Sequence, residues 1–235
     1  MLTETTLVSN LILANQILDE ARLAVPFGHV SARVGKDRFL ISRAIPPAAV
    51  TEKDMLLVDL NGNVLEGEGR WHGESWIHIC IYRMRPEMSG VVHTHSLYVT
   101  ALATAEKTFI PATLFGITFA GAKIYKNAGL IHNEERGMKM ARLMGKDAAV
   151  LLKGHGASIA GRNLEEATAR AIMMEEAAGI QLLAGLAGKV RPYAKAELER
   201  FRRELEQQAV RNDRPAGLFE RVWEYYKWRV EEKKA

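Results

Sequence analysis

The sequence predicts an α/β fold with three layers, α/β/α, in which the central sheet is mainly antiparallel. Short apolar runs alternate with turn residues over residues 29–65, which indicates an antiparallel meander. Segments with helical and strand-like spacing then alternate from residue 73 to residue 187. No internal repeat, low-complexity tract or linker interrupts this pattern. We therefore expect residues 1–235 to form a single domain with a helical, aromatic tail over about 192–235.

The first half of the chain is expected to open with a helix and to continue as hairpins. Apolar residues recur every three to four positions over residues 6–22, which is typical of an amphipathic helix. Strand-like runs follow over residues 29–65, where the Asn-Gly-Asn sequence at 61–63 favours a tight hairpin. Helical spacing returns over residues 73–85, and Pro86 ends that helix.

The second half is expected to alternate strands with helices. Strands are predicted over residues 89–96, 118–124 and 148–152, and helices over residues 97–105 and 133–144. Asn163 is expected to cap a long helix over residues 164–187. Within this helix Met173 and Met174 are expected to serve packing or a subunit interface.

Composition limits the classes of function. The chain has 235 residues, of which 48% are hydrophobic and 26% charged, with a net charge of +4. These values are typical of a globular protein and argue against a disordered or nucleic-acid-binding arm. The single cysteine, Cys80, cannot form an internal disulfide or a thiolate cluster, and it is expected in the core. Neither a signal peptide nor a membrane span is predicted, so we expect a cytoplasmic protein.

Three histidines and one glutamate are expected to meet at one point. His93 and His95 alternate along a predicted strand, so both side chains point to the same face of the sheet. His155 follows another predicted strand between two glycines, which let the backbone bend closely around a ligand. Glu74 begins the helix predicted over residues 73–85, where the helix dipole favours a carboxylate. Taken singly, each histidine could instead be a hydrogen-bonded structural residue.

Together these four side chains predict a site for one divalent metal ion per subunit. Three imidazoles and one carboxylate suit Zn, Mn, Fe(II), Co or Ni, and the sequence does not choose among these ions.

The motifs that carry these residues resemble the class II aldolase and adducin family. The motifs are Glu74-Ser-Trp-Ile-His, Val91-Val-His-Thr-His-Ser and Gly154-His-Gly-Ala, and the similarity spans about residues 7–185. Members include L-fuculose-phosphate and L-ribulose-phosphate enzymes. The resemblance implies the fold of that family, metal ligation by the three histidines, and a glutamate that is a ligand or an acid–base group. It also implies a homotetramer with sites between subunits.

Three segments differ from the sugar-phosphate aldolases of this family, which bind phosphate through neutral hydrogen-bond donors. The segments contain His29, Arg43 and a His-Gly pair at 72–73 in place of those donors. A guanidinium forms a planar fork that suits a carboxylate. We therefore expect a small-molecule carboxylic acid as substrate. The residues expected to bind it are Gly28, His29, Ser31 and Arg43.

A tyrosine that the aldolases use for protonation is absent from the corresponding stretch, residues 112–116. With the altered segments, this absence resembles the decarboxylating branch, which acts on hydroxy-methylpyridine-dicarboxylate and dihydroxyphthalate. We expect a metal-dependent decarboxylase of a hydroxylated aromatic or heteroaromatic acid, with Glu74 and His78 as catalytic residues. One helical turn after Glu74, His78 is expected to orient it or to share a proton with it. The alternatives are an aldolase or epimerase of a sugar phosphate, and a non-catalytic adducin-like module without metal.

Several residues have a structural alternative. Arg43 could form a surface ion pair, Ser31 and Arg33 could brace the first loop, and His29 could be a structural residue. His72 and His132 are expected in solvent, as is the charged helix face over residues 195–214. The tail aromatics are expected to dock, either over a neighbouring subunit's site or on their own subunit. These aromatics are Trp223, Tyr225, Tyr226 and Trp228.

Overall fold

One eight-stranded sheet runs through the residues that this computed structural model describes, namely 4–24, 26–127, 129–210 and 217–233. Its strands are β1 (His29–Val34), β2 (Arg38–Ser42), β3 (Met55–Asp59), β4 (Val64–Glu66), β5 (Gly90–Thr94), β6 (Lys123–Tyr125), β7 (Ala149–Leu152) and β8 (Gly156–Gly161). Their order is β4-β3-β2-β1-β5-β8-β7-β6. Neighbouring strands are antiparallel except β6 and β7, which are parallel. The mainly antiparallel sheet is therefore confirmed.

Helices flank the strands in the order that the sequence predicts. The α-helices of the described residues are α1 (Glu4–Glu20), α2 (Trp76–Met84), α3 (Leu97–Thr104), α4 (Glu134–Met144), α5 (Leu164–Ala187), α6 (Lys195–Val210) and α7 (Leu218–Glu232). Asn163 caps α5 as expected, because its side chain accepts a hydrogen bond of 2.7 Å from the Glu166 N–H. In the ranges that the structure covers, no helix is both long and apolar enough to cross a membrane.

Strand side chains alternate between two apolar clusters, one on each face of the sheet. On β2, Leu40 belongs to the first cluster, whereas Phe39 and Ile41 belong to the second. The first cluster also contains residues of α1, α3, α5 and α7, and the second contains residues of α2 and α4. Met173 and Met174 pack in the first cluster and Cys80 in the second, as expected.

Two segments differ from the sequence predictions. The strand predicted over residues 118–124 is a 3-10 helix at Gly116–Phe119 followed by the short β6. The Gly116 N–H donates to the Thr113 hydroxyl at 3.0 Å, which stabilises this turn. Strand β8 was not predicted, because its small side chains lack the apolar bulk of a typical strand. Pairing with β5 and β7 defines it instead.

The aromatic tail packs partly on its own subunit. Trp223 is buried in the first cluster, and Tyr226 packs against it. Tyr225 and Trp228 stay about half exposed, at 49% and 53%. The last part of the charged helix face predicted over residues 195–214, from 211 onward, lies outside the described residues.

Candidate metal centre

Strands β5 and β8 bring three histidines to one end of the sheet. His93 lies in β5, His95 follows the end of that strand, and His155 directly precedes β8. The Nε2 atoms of His93 and His95 are 3.0 Å apart, so the predicted convergence of this pair is observed. Gly156, at φ +148°, lets β8 begin against the end of β5, because a Cβ there would lie 1.9 Å from the Thr94 carbonyl oxygen.

Glu74 completes the cluster from the turn that precedes α2. Its Oε1 accepts a hydrogen bond of 2.7 Å from the Ile131 backbone N–H. Its Oε2 lies 3.2 Å from His155 Nε2 and 3.6 Å from His93 Nε2. One carboxylate oxygen is therefore anchored by backbone, while the other faces the imidazoles.

The donor atoms of these four residues fit a single divalent cation. One atom from each of Glu74, His93, His95 and His155 lies within 4.8 Å of the others. His93 Nδ1 donates to the Ala157 carbonyl at 3.1 Å, which directs the Nε2 lone pair of a neutral ring toward the cluster. His155 Nε2 is buried and has no hydrogen-bond partner among the described residues. Such an orphaned nitrogen, next to a carboxylate oxygen, suits a bound metal ion.

Electrostatics give these groups the protonation states that a cation requires. Burial lowers the pKa of His93 to about 3, although the charge of Glu74 opposes this. Burial also lowers the pKa of His95. For Glu74 burial raises the pKa, but His155, His93 and the Ile131 N–H outweigh it and hold the pKa at about 2. His93 and His95 are therefore neutral imidazoles beside an ionised carboxylate.

An open cleft leads from solvent to two of the histidines. Glu74 and His93 are buried, whereas His95 and His155 are partly exposed. Helix α3 lines the other side of the cleft with Leu97, Thr100, Ala101 and Thr104. A small molecule can therefore approach the cluster from the side of α3.

Three further histidines lie behind the cluster. The ring centroid of His29 is 4.4 Å from that of His72, 4.8 Å from that of His78 and 5.0 Å from that of His93. Burial lowers the pKa of His72 to about 4 and brings the pKa values of His29 and His78 well below their ordinary value. The expectation that His72 lies in solvent is wrong. It is 8% exposed because it packs on His29 and contacts the Ser42 hydroxyl at 3.3 Å.

His78 has different partners from those expected. Its Nε2 lies 2.6 Å from His29 Nδ1, and its Nδ1 lies 2.6 Å from Ser31 Oγ. No contact joins His78 to Glu74 among the described residues. Because α2 begins at Trp76, Glu74 precedes the helix and does not lie one turn before His78 on the same face.

Sequence reasoning also missed Tyr82. Its hydroxyl lies 2.9 Å from Ser31 Oγ, and both side chains are buried. The spacing of four residues between His78 and Tyr82 places them on one face of α2, and this was the available signal.

The remaining residues that the sequence suggests for the site lie around the candidate metal ligands and the three histidines behind them. Arg43 Nε donates to Asp54 Oδ1 at 2.6 Å, and the Arg43 side chain is 44% exposed beside a separate cleft that Lys53 and Glu68 line. Its terminal nitrogens have no partner in the described ranges, and no contact joins it to the metal-binding candidates. Gly28 leaves no room for a side chain, because a Cβ would lie 2.9 Å from the His93 carbonyl oxygen.

Two structural alternatives are confirmed at the edge of the site. Arg33 braces the first loop through the carbonyl oxygens of Met88, Lys36 and Tyr82. His132 is exposed, and its Nδ1 contacts the carbonyl oxygen of Leu130 in its own loop at 3.0 Å.

The sheet and its histidine–glutamate cluster define a protein of the class II aldolase type. The chain belongs to the class II aldolase and adducin family, since residues 9–182 match the family model "Class II Aldolase and Adducin N-terminal domain". This confirms the resemblance seen in the motifs. Class II aldolases use a divalent metal ion, and the cluster described above has the residues to bind one.

Relatives with two different activities are similar to this chain. A 3,4-dihydroxyphthalate decarboxylase from Arthrobacter keyseri is 33% identical over 178 residues, which is 68% of this chain and 71% of the relative. An L-fuculose phosphate aldolase from Methanocaldococcus jannaschii is 31% identical over 159 residues, 66% of this chain and 84% of the relative. A solved L-fuculose 1-phosphate aldolase superposes with a TM-score of 0.79 at 26% identity, over 87% of this chain and 98% of its own.

Proposed function

We propose that this protein is a divalent-metal-dependent decarboxylase of a hydroxylated aromatic or heteroaromatic carboxylic acid. The observation that carries the proposal is the buried pair His29 and His72, whose ring centroids lie 4.4 Å apart beside His93. The family's sugar-phosphate aldolases have neutral phosphate-binding donors in these two segments. Two imidazoles replace those donors here, and Arg43, at the end of the adjacent strand, has a planar guanidinium that suits a carboxylate. The 33% identity to a dihydroxyphthalate decarboxylase supports the same substrate class.

In this proposal Glu74, His93, His95 and His155 hold the cation. A divalent ion bound by these residues would supply Lewis-acid chemistry for cleavage of the bond to the carboxyl carbon. The Ile131 N–H fixes the orientation of Glu74, so that its Oε2 is available for ligation or for proton transfer. His29 and Arg43 bind the substrate carboxylate. As the bond to the carboxyl carbon breaks and CO2 leaves, a proton taken up from solvent replaces it on the ring carbon, so charge and atoms balance.

We further propose that the protein is a cytoplasmic homotetramer, with a neighbouring subunit covering the cleft. Exposed apolar side chains at the rim support this assembly. Leu97 is 71% exposed, and Phe27 is 70% exposed with its ring centroid 6.2 Å from that of His95. Apolar surface of this kind is typical of a protein interface.

Release of CO2 tests the decarboxylase proposal. The metal-loaded protein is incubated with a panel of ortho-hydroxy aromatic and heteroaromatic acids, and CO2 is measured. We expect release with at least one acid, loss of release on chelation, and its return when the metal ion is added back. No release from any acid by a protein that contains stoichiometric metal would contradict the proposal.

The second candidate is an aldolase or epimerase that acts on a sugar phosphate. The 31% identity to an L-fuculose phosphate aldolase favours it. Its test is the cleavage of phosphorylated and unphosphorylated ketoses, with dihydroxyacetone phosphate or glycolaldehyde as the product measured. Cleavage of a ketose without CO2 release from the acids would favour this candidate.

A further inference from the structure

A buried hydrogen-bonded network extends from the candidate metal centre into the core. His29 lies beside His93, and its Nδ1 is 2.6 Å from His78 Nε2. His78 Nδ1 is 2.6 Å from Ser31 Oγ, which is 2.9 Å from the Tyr82 hydroxyl. All four side chains are at most 2% exposed. We call His29, His78, Ser31 and Tyr82 the imidazole network.

The network can arrange its protons in only two ways. Both rings are neutral, because an unpaired cation in the core, next to other imidazoles, would carry a large desolvation cost. Exactly one proton must then lie between His29 Nδ1 and His78 Nε2. In the first arrangement Ser31 donates to His78, His78 donates to His29, and His29 carries its own proton on Nε2. In the second arrangement each donation is reversed, and His29 Nε2 is unprotonated.

The distances favour the first arrangement. N–H donors to oxygen give bonds of about 2.7–3.2 Å, whereas hydroxyl donors form shorter bonds, of about 2.5–3.0 Å to oxygen. The 2.6 Å between Ser31 Oγ and His78 Nδ1 therefore fits donation by the serine hydroxyl. The single Tyr82 hydroxyl proton lies between two oxygen atoms of Ser31, Oγ at 2.9 Å and the carbonyl at 3.1 Å. In the first arrangement Tyr82 donates to Ser31 Oγ, which leaves the serine proton for His78.

We propose that His29 acts on the substrate as a neutral hydrogen-bond donor, and that His78, Ser31 and Tyr82 are positioning residues that keep its proton on Nε2. His78 occupies Nδ1 of His29, while no described residue bonds Nε2. An N–H fixed in this way holds a substrate carboxylate in one orientation for cleavage of the bond to its carboxyl carbon, and no proton leaves the ring. The substrate class rests on the proposed function, whereas the proton position on His29 does not.

Side-chain ¹⁵N–¹H NMR of the full chain, with and without Zn²⁺, tests the proton positions. We expect His29 and His78 to be neutral at neutral pH, each with its proton on Nε2. Ser31→Ala removes the donor to His78 Nδ1, so the signals of both rings should move toward a mixture of tautomers. Ser42→Ala is the matched control, because it removes a buried hydroxyl that contacts a different imidazole, His72, at 3.3 Å. It should leave the His29 and His78 signals unchanged.

Kinetics of variants at His29, Ser31 and Tyr82 separate a positioning role from a general structural one. For decarboxylation we expect His29→Ala to lower kcat by about 10²-fold, the effect of a misplaced substrate. Ser31→Ala and Tyr82→Phe should lower kcat by about two- to tenfold, the effect of one hydrogen bond, with KM and metal content unchanged.

Each outcome decides one of the two proposals. A His29 proton on Nδ1 in the wild-type chain overturns the network proposal. Unchanged His29 signals in both Ser31→Ala and Tyr82→Phe overturn it as well, and the nearly isosteric Tyr82→Phe decides the question if Ser31→Ala does not fold. The expected proton positions without CO2 release would overturn the proposed function alone.

Discussion

The two oxygens of the Glu74 carboxylate have different surroundings. Oε1 is fixed by a backbone N–H, and Oε2 faces His93 and His155. An anchored carboxylate loses less side-chain freedom when it binds a cation, so the site is largely pre-formed. Metal binding and substrate binding are then expected to depend on different residues.

Substitutions at two residues separate these roles. We expect His95→Ala to remove bound metal and activity together, with a loss of metal affinity beyond the roughly 10–100-fold typical of an outer partner. Arg43→Ala should keep the metal and raise KM, because Arg43 contacts Asp54 and not the cluster. Metal content by elemental analysis and steady-state kinetics are the measurements. His132→Ala, at an exposed histidine, is the control. Equal metal loss in His95→Ala and Arg43→Ala contradicts these roles.

Cys80 is expected to resist thiol reagents in the native protein. It is fully buried, and burial raises the pKa of its thiol to about 12, so almost no thiolate forms at neutral pH. Mass spectrometry after alkylation should show no adduct on the native chain and one adduct on the denatured chain. Rapid native alkylation would mean that the packing between α2 and α4 opens readily.

Local patterns predict some site residues and miss others. Strand alternation predicts the meeting of His93 and His95, because strand geometry is a local property. By contrast, the burial of His72 depends on packing against His29, which lies more than forty residues earlier in the chain. The role of Tyr82 likewise depends on β1 pairing with β5 and lying against α2. The spacing of His78 and Tyr82 indicates a shared helix face, but their contacts with another strand leave no signature in the neighbouring sequence.

At the scale of elements, the junction of β5 with β8 determines the site. Gly156 has a positive φ, and the Thr94 carbonyl oxygen leaves no space for a Cβ. The junction therefore positions His155 against His95. Any residue larger than glycine would have to separate the two strands.

A pair of glycine substitutions tests this junction. Gly156→Ala should lower the free energy of unfolding by more than the roughly 1–3 kcal/mol of backbone strain, because a steric clash is added. It should also weaken metal binding. Gly185→Ala, in an exposed part of α5 with nothing near the added methyl group, should instead stabilise by about 0.5–1 kcal/mol. Urea unfolding measures both, and a Gly156→Ala protein as stable as wild type contradicts the assignment.

Elements with local signals are the ones that the sequence predicts well. Helix α5 has the predicted bounds because a capping asparagine begins it and its interior residues favour a helix. Strand β8, with the sequence Gly-Ala-Ser-Ile-Ala-Gly, has neither bulk nor clear alternation. Its conformation comes from the two strands that flank it, so it follows from tertiary structure.

For the whole molecule, the buried histidines make stability depend on pH. Burial holds the folded-state pKa of His29, His72, His78 and His93 below the ordinary value of 6.5. Below about pH 6.5 the unfolded chain therefore binds more protons than the folded chain. As a result, the free energy of unfolding decreases as the pH is lowered. Each such group contributes up to about 1.4 kcal/mol per pH unit.

Thermal unfolding of the metal-free protein measures this effect. We expect Tm to fall as the pH is lowered from about 7 to about 5, a window in which few ordinary carboxyl groups titrate. Adding metal should raise Tm, because a free ion at 100 times its Kd stabilises the folded state by about 2.7 kcal/mol. A constant Tm across this window would mean that the histidines are not buried in a neutral state.

The candidate ligands come from separate parts of the chain, from Glu74 to His155. Only a polypeptide with β5 paired to β8 and the turn before α2 in place presents all four donor atoms together. A coordinated ion would thus act as a reversible cross-link between distant segments. It would slow the unfolding of the folded protein, and it would not affect chains that have yet to fold. Cells short of the ion would then lose enzyme molecules to proteolysis as well as catalytic turnover.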